Sequence, residues 1–164
     1  LMCIGKGIGC GMPTAAIAGR GDVLACLGKG EMSSTTGGNP VSSAAVSAIL
    51  SIMEEEQLAD NAVKIGAIIM ERLKATQEKC AILGDVRGRG LVMGLELVKD
   101  KKTKEPASDL IHPAIDKCAE AGLLIGSVGI YGNVIRVAPP LVITNDELNE
   151  SVASFGAAMK EMTP

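Results

Sequence analysis

Lys6 stands alone among glycines in Gly5-Lys6-Gly7-Ile8-Gly9-Cys10-Gly11. Glycine at alternate positions removes the side chains that could pack around the lysine, and inside a core strand it would cost conformational entropy while burying nothing. Such a run suits backbone that a ligand approaches closely, with one amine directed at it. Lysine is suited to Schiff-base chemistry, because its compact amine loses its proton when partly desolvated. The same residues fit an ordinary solvated loop lysine, the commoner case. Two phosphate-binding patterns are excluded. A P-loop needs Ser or Thr directly after the lysine, where Gly7 stands. The dinucleotide fingerprint G-x-G-x-x-G fails in every frame, since Cys10, Met12 and Thr14 occupy the third glycine's place, as Met93 does after Gly88 and Gly90.

Two further groups could carry chemistry. Ser33-Ser34-Thr35-Thr36-Gly37-Gly38-Asn39-Pro40 sets hydroxyls and permissive glycines ahead of a helix start. Free N–H groups and the helix dipole there would favour an anion such as phosphate; a Ser/Thr-rich surface loop is the plainer alternative. In Val134-Ile135-Arg136-Val137-Ala138, strand alternation puts Arg136 on the face of Val134 and Ala138, so a guanidinium shares an otherwise apolar surface. A charge so placed calls for a partner, and the planar fork matches a carboxylate bidentately. A substrate carboxylate and an internal Asp or Glu satisfy that requirement equally well.

The elements that must position these groups are well punctuated. Ala15–Ala18 and Val23–Leu27, split by Gly19-Arg20-Gly21-Asp22, read as the end of a larger sheet. Asn39-Pro40 predicts a helix start, with asparagine as N-cap and proline at the first helical position. Ala45, Ala48, Ile49, Ile52 and Met53, then Ala62, Ile65, Ile69 and Leu73, recur at helical spacing. They predict a long strut jointed near Leu58–Asn61. Leu91–Val98 reads as a strand closed by the charged turn Asp100–Glu105. Leu110 to Ala119 reads as a helix stopped at Gly122, with Pro113 in its first turn. Strands are expected at Leu123–Ile125 and Val134–Val137. A last helix is announced by a Thr144/Glu147 capping box and an Ile143/Leu148 staple, and carries Val152, Phe155 and Met159 on its apolar face.

Composition bounds the function more than it names it. At 164 residues the chain holds one domain or parts of two, and 47% hydrophobic residues suffice for a core. The net charge of -3 comes without a basic stripe, which gives no reason to expect nucleic acid. No apolar run reaches the roughly 18 residues of a membrane span. Tyr131 and Phe155 are the only aromatics, so a ring stacked on a planar cofactor would have to come from elsewhere. Five cysteines without a C-x-x-C pair and a single histidine make a poor metal or disulfide set. They read as small hydrophobes of a reducing cytoplasm.

Taken together and in order, several motifs resemble the C-terminal portion of the class III pyridoxal-phosphate aminotransferases, the 4-aminobutyrate/ornithine/ω-amino acid group. They are Gly-Lys-Gly-Ile-Gly followed by Gly-Met-Pro, Thr35-x-Gly37-Gly38-Asn39-Pro40, Asp85-Val86-Arg87-Gly88-x-Gly90-Leu91, Gly94-x-Glu96-Leu97-Val98, and Asn133-Val134-Ile135-Arg136 ahead of Pro139-Pro140-Leu141. The resemblance runs through essentially the whole chain. It implies an α/β fold of the aspartate-aminotransferase type (fold type I): residues 1–38 as the tail of the cofactor-binding large domain, 39–77 as an interdomain helical segment, and 78–164 as the small C-terminal α/β domain. It implies pyridoxal 5'-phosphate as cofactor, with Lys6 as its Schiff-base lysine and catalytic base. Thr35 matches the threonine that reaches the cofactor phosphate of the neighbouring subunit in a homodimer, and Arg136 the arginine that holds the substrate carboxylate. Cys10 replaces a residue usually glycine, and Thr36 one commonly aromatic. The implied activity is amino transfer from a donor such as 4-aminobutyrate to an oxo acid such as 2-oxoglutarate or pyruvate. Ornithine-type donors, other ω-amino acid:pyruvate pairs and a non-catalytic packing fragment are the alternatives. The family's ring-stacking aromatic, pyridine-pairing aspartate and main phosphate loop precede the lysine, so the expectation is an incomplete site that is inactive by itself.

Overall fold

The computed structural model describes residues 1–162, which form two compact units, Leu1–Leu58 and Ala59 onward. In the first, strand β1 (Met2–Ile4) pairs antiparallel with β2 (Ala16–Ala18), and the glycine-rich segment between them contains a 3₁₀ turn, Lys6–Gly9. The second apolar run expected as strand is instead a short helix, α1 (Gly21–Leu24). Its backbone bonds are local, from Leu24 N–H to Arg20 and from Ala25 N–H to Gly21. Asp22 in the first turn, ion-paired with Arg20 at 2.8 Å, favours that local solution.

Helix α2 (Pro40–Glu55) starts where Asn39-Pro40 predicts, the Asn39 side chain accepting from Ser42 N–H at 2.9 Å. The joint in the long helical segment falls at Gln57, just ahead of the expected place. With φ +51 this residue is left-handed, and α3 (Leu58–Lys79) follows directly.

The second unit is a two-layer α/β arrangement. An antiparallel sheet in the order β3 (Leu83–Arg89), β4 (Val92–Leu97), β6 (Val134–Val137), β5 (Gly126–Val128) packs one face on helices α3, α4 (Ile111–Glu120) and α5 (Asn145–Glu161). Alternation sends Val86, Met93, Leu95, Leu97 and Ile135 inward onto Ile65, Ile69, Leu73, Ala114, Cys118, Leu148, Phe155 and Met159. Gly66 on α3 meets Gly90 of the β3–β4 turn so closely that an added Cβ would sit 2.2 Å from the Gly90 oxygen. The Thr144/Glu147 capping box forms in full, and Ile143 and Leu148 are buried beside it.

The strand expected at Leu123–Ile125 lies three residues later. Gly122, at φ +80, ends α4, and Leu123 N–H still bonds back to Cys118 at 2.8 Å, so this stretch belongs to the helix cap.

Candidate active site

Lys6 opens an ordered turn: Cys10 N–H bonds to Gly7 at 3.1 Å and Met12 N–H to Gly9 at 2.9 Å. Lys6 (φ +54) and Cys10 (φ +46) both adopt the left-handed conformation that costs a non-glycine residue about 1–2 kcal/mol. The open flanks are as informative as the strain, since a Cβ added at Gly5 or Gly7 would meet nothing within 4 Å. The Lys6 side chain is exposed and makes no hydrogen bond or ion pair among the described residues.

Thr35 and Thr36 occupy consecutive turns, closed by Gly37 N–H to Ser34 at 3.0 Å and Asn39 N–H to Thr36 at 3.3 Å. Thr35 is exposed and its hydroxyl is uncommitted among the described residues. The helix start behind it is less open to anions than the sequence suggests. Pro40 has no N–H, and Asn39 takes the Ser42 N–H for itself while donating from Nδ2 to Thr36 at 3.1 Å. Ser42 Oγ donates to the Pro13 carbonyl at 3.4 Å and ties this helix start to the segment that carries Lys6.

Arg136 lies in the second unit, on the sheet face turned away from the helices. Its strand is fixed by Asn133, which is buried. Leu97 N–H donates to the Asn133 carbonyl at 2.8 Å, and Asn133 Nδ2 donates back to the Leu97 carbonyl at 2.8 Å. A slip of one residue would turn Arg136 into the core.

The expectation of an otherwise apolar face is corrected. Asp85, Arg87 and Glu96 project on the same side, with Arg87 Nη1 bound to Asp85 at 2.7 Å and to Glu96 at 2.6 Å. Both carboxylates of that face are thus committed to Arg87. Arg136 is exposed and makes no ion pair or hydrogen bond among the described residues. Among the described residues no internal carboxylate pairs with the Arg136 guanidinium. Period-two spacing of Asp85 and Arg87 is the sequence signal for this ion pair once residues 83–89 are read as a strand.

Lys6 and Thr35 belong to the first unit and Arg136 to the second. Among the described residues no group of three His, Cys, Asp or Glu could hold a metal ion, and no helix is long and apolar enough to cross a membrane.

Comparison with known proteins places these residues in context. The family profile for class III aminotransferases matches residues 1–159. The chain is 40% identical to a mitochondrial alanine–glyoxylate aminotransferase 2 homolog of Arabidopsis thaliana, over 99% of this chain and 34% of the relative. It is 38% identical to an alanine/serine racemase of Pyrococcus horikoshii, over 98% and 33%. Identity is 37% to a 4-aminobutyrate aminotransferase of Mycobacterium bovis, over 99% and 36%. Among solved structures, a Bacillus anthracis aminotransferase superposes with a TM-score of 0.87 at 36% identity, covering 97% of this chain and 38% of that one. A PLP-bound amine transaminase from an uncultivated Pseudomonas species gives 0.83 at 34% identity, covering 97% and 38%. The chain therefore spans about a third of the length of the curated relatives it matches. It fits the C-terminal part of the fold type I architecture.

Proposed function

The chain belongs to the class III aminotransferases, and on that premise we propose that the full-length protein performs pyridoxal-phosphate-dependent amino transfer from an ω-amino acid of the 4-aminobutyrate kind to an oxo acid such as 2-oxoglutarate or pyruvate. The observation that carries this reading is Lys6: an exposed, uncommitted amine held left-handed between glycines whose flanks are open. Class III aminotransferases depend on pyridoxal phosphate, and the residues present fit that group. A planar aldehyde can approach the amine along the bare backbone of Gly5 and Gly7, and the Thr35 hydroxyl is free to donate to a phosphate oxygen.

When bound, the cofactor supplies an electron sink for negative charge developing on the substrate carbon. The rest is the work of this chain. Lys6 would hold the cofactor through Nζ. The same Nζ would then take the proton from the amine-bearing carbon of the donor as a general base and, as a general acid, deliver it to the cofactor side rather than back to the donor. Arg136 orients the substrate by a bidentate bond to its carboxylate. The Thr35 hydroxyl would donate to the cofactor phosphate of a neighbouring subunit in a homodimer, and cofactor retention would then depend on dimerisation.

The 38% identity to a racemase supports a second reading, in which Lys6 Nζ moves the α-proton of an amino acid without any oxo-acid acceptor. Assay of the full-length enzyme with 4-aminobutyrate and 2-oxoglutarate, beside L-alanine alone, separates the two. Glutamate formation that requires both partners and disappears in Lys6→Ala supports transfer, whereas D-alanine formation without acceptor would replace it with racemisation. Arg136→Lys retains charge but loses the fork, and its expected cost in carboxylate affinity is about 1.5–3 kcal/mol.

A further inference from the structure

The residues beside Arg136 bear on which carboxylates it admits. Arg136 on β6 is the direct cross-strand partner of Gly94 on β4 and of Gly126 on β5. A glycine inside a strand costs stability and is ordinarily explained by a positive φ or by another group pressing on its Cα. The other strand glycines of this unit have such an explanation. A Cβ at Gly84 would lie 2.5 Å from Val98, and one at Gly88 would lie 2.4 Å from the Val92 oxygen. At Gly94 it would come within 3.1 Å of Val134 Cγ1.

Gly126 has none. Its φ is not positive, and a Cβ there would meet nothing within 4 Å, the Arg136 side chain included. Nothing internal to the chain among the described residues calls for a glycine at this position. Gly126 and Arg136 stand at the edge of a cleft of about 750 Å³ whose wall is otherwise built largely from the helix side of the sheet, by residues such as Ile69, Leu73, Leu148 and Phe155. Glu147, its acidic lining residue, is engaged by Thr144 N–H and hydroxyl, both at 2.8 Å, and does not compete for the guanidinium.

We propose that Gly126 is a specificity-determining residue. Its missing side chain leaves a slot beside the Arg136 guanidinium, and a bulky apolar substituent next to the carboxylate of a substrate packs there against bare β5 backbone. The class admitted is carboxylates with branched or aromatic substituents, alongside slim ones that leave the slot empty. This inference rests on the reading of Arg136 as the carboxylate-binding residue.

The test is competitive inhibition of the full-length holoenzyme by acetate, 3-methylbutanoate and 3-phenylpropanoate, in wild type, Gly126→Ala, Gly126→Val and Arg136→Lys. Gly126→Val is expected to raise the inhibition constant of 3-phenylpropanoate about ten-fold or more while that of acetate stays within about two-fold, the range over which pocket shape discriminates. Gly126→Ala should fall between, and thermal stability should be kept, since β-branched residues suit strands. Equal effects on all three inhibitors, or none on any, would overturn the proposal. So would failure of both Gly126 variants to fold, because the space would then not be open. Arg136→Lys reports separately. A parallel weakening of all three inhibitors supports the Arg136 reading, and no change in any of them would remove that reading whatever the Gly126 series shows.

Discussion

One substitution made at two glycines should have opposite signs. Gly156 lies in α5, where a Cβ would meet nothing within 4 Å, and Gly66 lies in α3, where it would sit 2.2 Å from the Gly90 oxygen and 2.5 Å from the Gly90 carbonyl carbon. Helix propensity alone favours alanine at both by about 0.5–1 kcal/mol. Real Cβ contacts essentially never fall below 3.0 Å, so Gly66→Ala must part the helix from the hairpin turn by about 0.8 Å, and both partners at the contact are backbone. Ile65, Ile69 and Leu73 ride on the same helix and are 2–3% exposed. A gap of that width forfeits about a quarter to a half of each dispersion contact it opens. Overpacking of this kind costs about 1–3 kcal/mol and outweighs the propensity gain. The expected net effect is a loss of about 1–2 kcal/mol for Gly66→Ala and a gain of about 0.5–1 kcal/mol for Gly156→Ala. Amide hydrogen exchange at Leu95 and Ile135, both in the core of the second unit, reads the change directly. Slower exchange in Gly66→Ala than in the parent chain would refute the helix–turn contact.

Three further outcomes are expected. The Glu147 carboxyl is held below the usual carboxylate range, first by the Thr144 N–H and then by the Thr144 hydroxyl. Its contribution to stability is therefore complete above the ordinary glutamate pKa and is lost as pH falls through the lowered one, so Glu147→Gln should flatten the acid limb of a melting-temperature profile. Cys10→Gly should stabilise the first unit by about 1 kcal/mol, seen as slower amide exchange at Met12, because Cys10 is left-handed at φ +46. Thr35→Ala should weaken pyridoxal phosphate retention in the full-length enzyme by about 1 kcal/mol or somewhat more, measured by dialysis, with the melting temperature of the apo form unchanged.

What the sequence made legible followed from short-range chemistry. The Asn39 cap, the Pro40 start, the Thr144/Glu147 box and the Gly122 stop each need only neighbours a few residues away, and each forms. β3 was harder to see, because Asp85, Arg87 and Arg89, with Gly84 and Gly88, leave few apolar residues, and an irregularity between Leu83 and Asp85 puts Leu83 and Val86, three residues apart, on the same buried face. Without that strand, Arg87 could not be set on the face of Arg136, and the surroundings of Arg136 read as apolar. The helix joint carries no Gly or Pro. Gln57 takes the left-handed conformation itself and donates from Nε2 to Glu54 at 2.6 Å, a solution with no compositional sign. The Gly66–Gly90 contact and the open side of Gly126 depend on pairings between distant segments, which periodicity does not report.

The account stands most directly on Lys6. Reductive trapping of the full-length enzyme with pyridoxal phosphate and borohydride, followed by proteolysis and mass mapping, locates the lysine that bears the cofactor. The account predicts one stoichiometric label on the peptide containing Lys6, absent from Lys6→Ala and from enzyme displaced with excess amino donor before reduction. Stoichiometric label on any other lysine, with Lys6 unmodified, would contradict it.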